Sequence, residues 1–114
     1  MNIICVPYGT DHQQAVRLGD TLRILVAVPP DGSSWTGNAA IRTTLAASDT
    51  DDVALAEYSG GKVAGRNWDL YVDYDTSSVP LTASTRYVAA AEIISGSKKR
   101  EFHTTFDVLP QGRT

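Results

Sequence analysis

The chain has 114 residues, of which 42% are hydrophobic and 20% are charged, a composition that fits one globular domain and leaves no room for a second. Its 13 acidic and 10 basic side chains give a formal net charge of -3, which argues against a general nucleic-acid-binding surface. No apolar run approaches the ~20 residues that cross a bilayer, and Pro7 interrupts the apolar start, so we expect neither a membrane partner nor a secretory signal. Cys5 is the single cysteine, so it has no internal disulfide partner, and we expect it to be packed rather than reactive.

Turn-forming residues recur about every ten positions, a spacing that favours short strands over helices. Residues 3–8 predict an N-terminal strand that Pro7 restricts to a sheet edge. Residues 21–28 predict the next strand, whose even positions form one apolar face. Leu25 breaks the polar side of that strand, which fits either a strand covered on both faces or an exposed apolar spot for a partner.

Further strands are predicted at residues 41–47, 53–58 and 68–75, the last with the clearest alternation of apolar and acidic positions. The last third of the chain predicts a hairpin. Its first strand covers residues 87–94, a turn follows at Gly96 and Ser97, and the return strand turns its aromatic residues to one side. A short helical turn is expected at residues 80–84, before this hairpin.

Six or seven short strands of this kind predict an all-β fold, an antiparallel two-sheet β-sandwich of the immunoglobulin-like type. A small β-barrel is the alternative. We expect residues 1–114 to form a single domain with loosely ordered ends at about residues 1–18 and 110–114.

Catalytic and metal-binding patterns are weak in this sequence. The two histidines, His12 and His103, lie far apart, and no Gly-x-Ser-x-Gly elbow accompanies them, so we expect no nucleophilic enzyme. One cysteine and two distant histidines do not supply the four ligands of structural zinc. The acidic residues 49–52 lack the spacing of a helical calcium loop and are interpreted as a solvated turn. The sequence therefore predicts neither a cofactor nor a metal.

Asp69, Asp73 and Asp75 share one face of a predicted strand, a spacing that would also suit the paired acids of a glycosidase. Alternating aspartates more commonly keep an exposed sheet face soluble, and we favour that interpretation. Residues 60–62 carry Gly-Gly-Lys without the remaining positions of a phosphate loop, so we interpret them as a turn.

Candidate contact residues are aromatic or basic. Lys98, Lys99 and Arg100 form a basic cluster at the hairpin tip, where it would either be solvated or meet an acidic partner. Trp35 is expected to cap one end of the sandwich, and Tyr71, on the aspartate face, is a candidate interface anchor.

Four short motifs follow one another over residues 19–110. They are Gly19-Asp20-Thr21-Leu22, Pro30-Asp31-Gly32-Ser33-Ser34-Trp35-Thr36-Gly37, Ile41-Arg42-Thr43 and Phe106-Asp107-Val108-Leu109-Pro110. Taken in this order, they resemble the motifs of small immunoglobulin-like domains in tailed-bacteriophage virions, which have a Gly-Asp-Thr strand start, a turn that ends in Leu-Thr-Gly, a strand with an arginine and a Phe-x-Val-x-Pro ending. Trp35 stands in place of the usual leucine, and Thr85-Arg86 replaces the glycine that often precedes the tyrosine at position 87.

The resemblance implies a non-enzymatic virion structural protein, present in many copies or as a homo-oligomer, that docks on other virion proteins. Related domains occur in baseplate upper proteins, in tail and fibre adaptors, and in head decoration proteins, and they have no catalytic residues to transfer. The residues predicted to lie at its interfaces are Leu25, Tyr71, Lys98, Lys99, Arg100, Ile3 and Ile4, with the first eight residues acting as an arm. The alternative is a carbohydrate-binding or adhesion module that uses exposed Trp35 or Tyr71 with nearby aspartates, and a small hydrolase using Asp69 and Asp73 ranks last.

Overall fold

The computed structural model describes residues 2–9, 14–29, 34–44, 52–58 and 69–110. These residues form strands and turns without a helix, which confirms the all-β prediction. In chain order the strands are β1 (Ile3–Pro7), β2 (Ala15–Arg17), β3 (Thr21–Val26), β4 (Thr36–Arg42), β5 (Ala54–Glu57), β6 (Leu70–Asp75), β7 (Thr85–Ser95) and β8 (Lys98–Leu109). Within the described ranges no helical segment has the length and hydropathy to span a membrane.

The strands pair into two sheets, as predicted. One sheet has the order β1-β3-β6, and the other has the order β2-β8-β7-β4-β5. Neighbouring strands are antiparallel except for β2 and β8, which run parallel. One of the two sheets curls into a half-barrel.

The hydrophobic core combines residues of both sheets. Leu22, Ile24 and Val26 are fully buried, so the even positions of β3 face the core as their alternation predicts. In the larger sheet, Tyr87 of β7 pairs directly with Phe106 of β8, and their ring centroids lie 6.0 Å apart. Burial of each large apolar side chain contributes about 1.5–3 kcal/mol relative to exposure, so this shared core holds the two sheets together.

β4 begins at Thr36, earlier than the predicted start at residue 41. Gly37 and Asn38 indicate a turn when read locally. In the structure, Gly37 lies opposite Ile93 in the β4–β7 ladder, and an added Cβ atom would overlap the carbonyl oxygen of Glu92. This glycine therefore permits a close approach of two strands instead of a chain reversal. Residues 45–47 of the predicted strand lie outside the described residues.

The N-terminal region is more regular than the sequence predicted. β1 is an edge strand, as Pro7 indicates, and it pairs along its length with β3. β2 has only three residues and was not predicted, yet it pairs with the end of β8 from Asp107 to Leu109. Residues 2–9 and 14–18 thus contain two paired strands, of which the sequence predicted only β1. Backbone hydrogen bonds to a long strand can order a segment such as β2 that is too short to show alternation. Residues 111–114 lie outside the described residues.

Residues 80–84 form turns in place of the expected short helix. Ser84 adopts a left-handed backbone with φ of 59°, and its amide donates a hydrogen bond to the Val108 carbonyl at 2.7 Å. This contact ties the segment to β8 immediately before β7 begins, so the tertiary structure determines its local conformation.

Candidate functional site

A cluster of Tyr8, Arg23, Tyr71 and Asp73, here called the Tyr–Arg patch, lies on the three-stranded sheet. Arg23 and Asp73 are direct cross-strand partners on β3 and β6. The Arg23 guanidinium donates a hydrogen bond to each Asp73 carboxylate oxygen, from Nε to Oδ1 at 2.7 Å and from Nη2 to Oδ2 at 2.8 Å. The guanidinium carbon lies 4.6 Å from the ring centroid of Tyr8 and 4.3 Å from that of Tyr71. Arg23 therefore contacts two tyrosine rings while a carboxylate fixes its plane.

The hydrogen bond from Arg23 to Asp73 raises the pKa of the guanidinium further above its ordinary value. The Arg23 and Asp73 side chains are 15% and 32% exposed, so solvent reduces the pair's contribution to about 1 kcal/mol or less. Tyr8 is 63% exposed and rests against the guanidinium. Tyrosine and arginine are enriched among residues that dominate protein–protein interfaces, and this arrangement presents both in a fixed orientation.

Three predicted interface residues follow one another across the same sheet. Ile4, Leu25 and Tyr71 occupy directly paired positions on β1, β3 and β6. Ile4 and Tyr71 are half-buried, whereas Leu25 is only 1% exposed. Of the two interpretations of Leu25, a strand covered on both faces is therefore correct. Its buried side chain does not fit a surface contact.

Residues 2–8 do not form a free arm. Ile3 is 3% exposed and belongs to the core cluster, and Cys5 and Val6 are fully buried. An interface role for Ile3 does not fit this position, because its side chain fills the core of its own domain. The prediction that Cys5 is packed is confirmed, and burial raises the pKa of its thiol.

Lys98, Lys99 and Arg100 are exposed at the β7–β8 hairpin, where the sequence placed them. Each of them also contacts its own domain. Lys99 Nζ lies 3.3 Å from a carboxylate oxygen of Glu92, and Lys98 Nζ lies 5.4 Å from the ring centroid of Trp35. Arg100 stands over the Phe102 ring at 5.1 Å.

The three aspartates considered for glycoside hydrolysis are each engaged in structural contacts. Asp69 accepts a hydrogen bond from the Val28 amide at 3.0 Å, and Asp73 holds Arg23. Asp75 accepts hydrogen bonds from the amide and hydroxyl of Ser77, which lower the pKa of its carboxyl group. None of these contacts brings two of the carboxylates together around a shared substrate position.

The remaining candidates for chemistry are exposed or lie outside the described residues. His103 is exposed, as the alternation of its strand predicts, and its Nε2 lies 2.7 Å from Glu101 Oε1. His12, Trp68 and residues 49–51 and 60–62 lie outside the described residues. In the described ranges, no three histidine, cysteine, aspartate or glutamate side chains form a group that would hold a metal ion.

A shallow groove on the larger sheet is lined in part by Arg42, Asp52, Leu55 and Glu101 and has a volume of about 140 Å³. Arg42 Nε lies 2.7 Å from Asp52 Oδ1, with both side chains about nine-tenths buried. Its Nη1 atom also lies 3.7 Å from Glu101 Oε1. The charged side chains of the groove thus form ion pairs with one another.

A second cavity, here called the Trp35 cleft, has a volume of about 380 Å³ and was not predicted as a site. Its described lining residues are Trp35, Thr36, Gly37, Asn38, Glu57, Tyr58 and Leu70. Trp35 is 9% exposed and belongs to the core cluster, so it is not an exposed platform. Its indole Nε1 is buried without a hydrogen-bond partner, an arrangement that costs about 1–3 kcal/mol.

Strand register assembles the polar part of this cleft. Asn38 of β4 lies directly opposite Glu57 of β5, which is exposed at the sheet edge. The Tyr58 hydroxyl donates a hydrogen bond to the Glu92 carbonyl at 3.1 Å, and burial raises the pKa of this phenol. No local sequence pattern joins these residues, so only the folded chain reveals the cleft.

Comparisons with known proteins add information about the fold. No protein-family model matches the chain, and no curated protein matches it. Among solved structures, it is similar to the crystal structure of an engineered protein, with a TM-score of 0.51 and 11% sequence identity over 95% of this chain. The aligned part is 20% of the engineered protein, so this chain spans about a fifth of that protein's length. At this identity the likeness concerns the fold alone.

Proposed function

We propose that this chain is a non-catalytic structural protein of a tailed-bacteriophage virion. In this proposal it is an immunoglobulin-like β-sandwich, present in several copies, that docks on neighbouring capsid, tail or baseplate subunits. Its contribution there is that of a decoration, adaptor or stabilising component.

Strand topology supports the immunoglobulin-like part of the proposal. The order β8-β7-β4-β5 corresponds to strands G, F, C and C′ of an immunoglobulin-like sandwich, and β1-β3-β6 corresponds to A, B and E. Tyr87, near the start of the F-like strand β7, accepts a hydrogen bond at its hydroxyl from the Thr82 amide. This is the geometry of the tyrosine corner found in such domains.

The motifs that resemble virion domains occupy structural positions. The Gly19 amide donates to the Thr76 hydroxyl at 2.8 Å, and that hydroxyl bonds to the Asp20 carbonyl at 2.6 Å. Phe106 and Val108 of the C-terminal motif belong to the core. The motif residues therefore support the scaffold of the domain and are not themselves docking residues.

The observation that carries the docking proposal is the Tyr–Arg patch. It offers an exposed aromatic ring at Tyr8 and a guanidinium held by Asp73 and by the rings of Tyr8 and Tyr71. A partner that covers this patch would bury aromatic area without first having to order the arginine, which lowers the entropic cost of binding.

Quantitative mass spectrometry of purified phage particles tests the virion assignment. We expect this chain in every particle preparation, at hundreds of copies for a head protein or at a small multiple of three, six or twelve for a neck, tail or baseplate protein. A particle that lacks the chain would overturn the proposal.

Two matched variants test the docking surface. Tyr8→Ser removes an exposed ring from the Tyr–Arg patch, and Leu55→Ser removes a comparably exposed apolar side chain from the other sheet, since Tyr8 is 63% and Leu55 59% exposed. We expect Tyr8→Ser to lower the number of copies in each particle while Leu55→Ser leaves it unchanged. Equal incorporation of a folded Tyr8→Ser protein and the wild type would contradict docking through this patch.

A further inference from the structure

An open groove beside Tyr8, here called the Tyr8 groove, lies at one end of the three-stranded sheet and has a volume of about 450 Å³. Its described lining residues are Pro7, Tyr8, Gly19, Asp20 and Thr21. The Arg23 guanidinium covers one face of the Tyr8 ring, yet Tyr8 is 63% exposed, so the opposite face of the ring is open to solvent. The Asp20 side chain is also exposed.

The Tyr8 groove places negative charge next to this aromatic ring. Asp75 is the direct cross-strand partner of Thr21, so a second exposed carboxylate flanks the groove. The described residues that line the groove include no basic side chain. A guanidinium that entered it would meet a ring face and a carboxylate, the same two kinds of partner that Arg23 has in its own position.

The same chain carries a cluster of cations at its opposite end, here called the basic tip. It consists of the exposed residues Lys98, Lys99 and Arg100. Lys98 stands over the ring of Trp35, which lines a cleft together with Leu70, the first residue of β6. The Tyr8 groove lies near Asp75, the last residue of β6. The length of this strand, roughly 17 Å, therefore separates the basic tip of a copy from its own Tyr8 groove.

The contacts of the basic tip within its own domain leave its charge available. Arg100 stands over the Phe102 ring at 5.1 Å and makes no ion pair with residues in the described ranges. Lys99 pairs with Glu92 at 3.3 Å, but its side chain is 62% exposed. Exposed pairs of this kind contribute about 1 kcal/mol or less, so a partner can compete with them.

We propose that the basic tip of one copy docks in the Tyr8 groove of a second copy. Arg100 stacks on the exposed face of Tyr8 and pairs with Asp20, and the neighbouring lysines are attracted to Asp75. Because the tip and the groove lie at opposite ends of the domain, the contact is heterologous and repeats from copy to copy in a head-to-tail order.

This inference rests on the docking part of the proposed function, since Tyr8 belongs to both surfaces, and it names a second copy of the chain as the partner there. One such contact is small and therefore weak. Copies that are held close together on a particle would strengthen it through their high effective concentration.

Sedimentation velocity of the purified protein over a range of protein concentrations tests the contact. We expect the sedimentation coefficient to keep rising with concentration in about 0.05 M NaCl and to rise much less in about 0.5 M NaCl, because salt screens the charges. A protein that stays monomeric at low salt, or an assembly that stops at two copies, would overturn the head-to-tail contact.

Charge reversal identifies the two surfaces. Arg100→Glu and Asp20→Lys should each weaken self-association by about tenfold, because each places like charges opposite one another. An equimolar mixture of the two variants should associate again, since the reversed tip of one then meets the reversed groove of the other. Glu57→Lys makes the same change in net charge as Asp20→Lys at an exposed residue of β5 and should not weaken association.

The Tyr8 ring is tested by a matched pair of variants. Tyr8→Ser should weaken self-association, whereas Tyr8→Phe, which keeps the ring, should retain it. Wild-type association of folded Arg100→Glu and Asp20→Lys proteins, or a mixture that associates no better than either variant, would contradict the proposal. Particle incorporation is measured separately, so loss of the head-to-tail contact is distinguishable from failure of the virion assignment.

Discussion

The Tyr87 hydroxyl accepts a hydrogen bond from the backbone amide of Thr82 at 2.8 Å, five residues earlier in the chain. The Tyr87 ring is 5% exposed and stacks on Phe106, so this single side chain links the turn before β7 to the core. A buried phenol that satisfies a turn amide stabilises the turn and fixes the position at which the strand begins.

Tyr87→Phe removes that acceptor while it keeps the ring in place. We expect a loss of about 0.5–1.5 kcal/mol in the free energy of unfolding, because the Thr82 amide loses its partner. Urea denaturation measures the change. Tyr8→Phe is the control, since the Tyr8 side chain is largely exposed and its substitution should leave the midpoint unchanged. Equal midpoints for Tyr87→Phe and the wild type would show that water replaces the bond without cost.

Gly37→Ala should destabilise the β4–β7 pairing strongly. The added Cβ atom would overlap the Glu92 carbonyl oxygen, and the backbone at Gly37 has a φ of +142°. Backbone atoms cannot move aside as a flexible side chain can, so we expect a loss of at least about 2 kcal/mol in thermal or urea unfolding.

Gly96→Ala is the matched control for this prediction. Gly96 also has a positive φ, of +60°, but an added Cβ atom there meets nothing within 4 Å. We expect a loss of about 1 kcal/mol from the left-handed backbone alone. A Gly37→Ala protein no less stable than Gly96→Ala would contradict the close approach at Glu92.

Two surface carboxylates should make the protein lose stability in acid. Hydrogen bonds from Ser77 lower the pKa of Asp75, and a hydrogen bond from Arg86 lowers the pKa of Asp107. The folded protein therefore binds these protons more weakly than the unfolded chain does. This stabilisation is fully present above the ordinary carboxyl value of 3.8 and is lost as the pH falls through the lower folded values.

Thermal unfolding between about pH 2 and 5 measures this effect. Ser77→Ala should flatten the decline in Tm below about pH 4, because Asp75 then loses its principal hydrogen-bond donor. Ser97→Ala, a change of an exposed serine at the hairpin tip, should leave the profile unchanged. Identical profiles for Ser77→Ala and the wild type would assign the acid sensitivity to other groups.

Cys5 should resist thiol reagents in the folded protein. Its side chain is 0% exposed, and burial raises the pKa of the thiol, so the reactive thiolate is scarce and inaccessible. We expect no reaction with Ellman's reagent under native conditions and one equivalent of reaction after unfolding in guanidinium. Leu55→Cys in a Cys5→Ala background supplies an exposed thiol that should react at once. Rapid native labelling of Cys5 would indicate that β1 separates readily from the core.

Local patterns predicted those parts of the fold that depend on the pleat of a single strand. Alternation placed Leu22, Ile24 and Val26 in the core and His103 on the surface. A proline marked β1 as an edge strand, and a Gly-Ser turn located the last hairpin. These features follow from a period of two and from turn chemistry, which neighbouring residues determine.

The pairing of strands that are distant in the sequence determined the features that local sequence patterns did not predict. Arg23 and Asp73 are 50 positions apart, and only the β3–β6 register brings them together beneath Tyr8. The β4–β5 register likewise places Asn38 opposite Glu57 beside Trp35. By itself the sequence determined the all-β class and the inward faces of the main strands. Only the tertiary structure revealed the short strand β2, the close approach of β4 and β7 at Gly37, and both candidate sites. The physical reason is that strand register and sheet packing depend on contacts between distant segments.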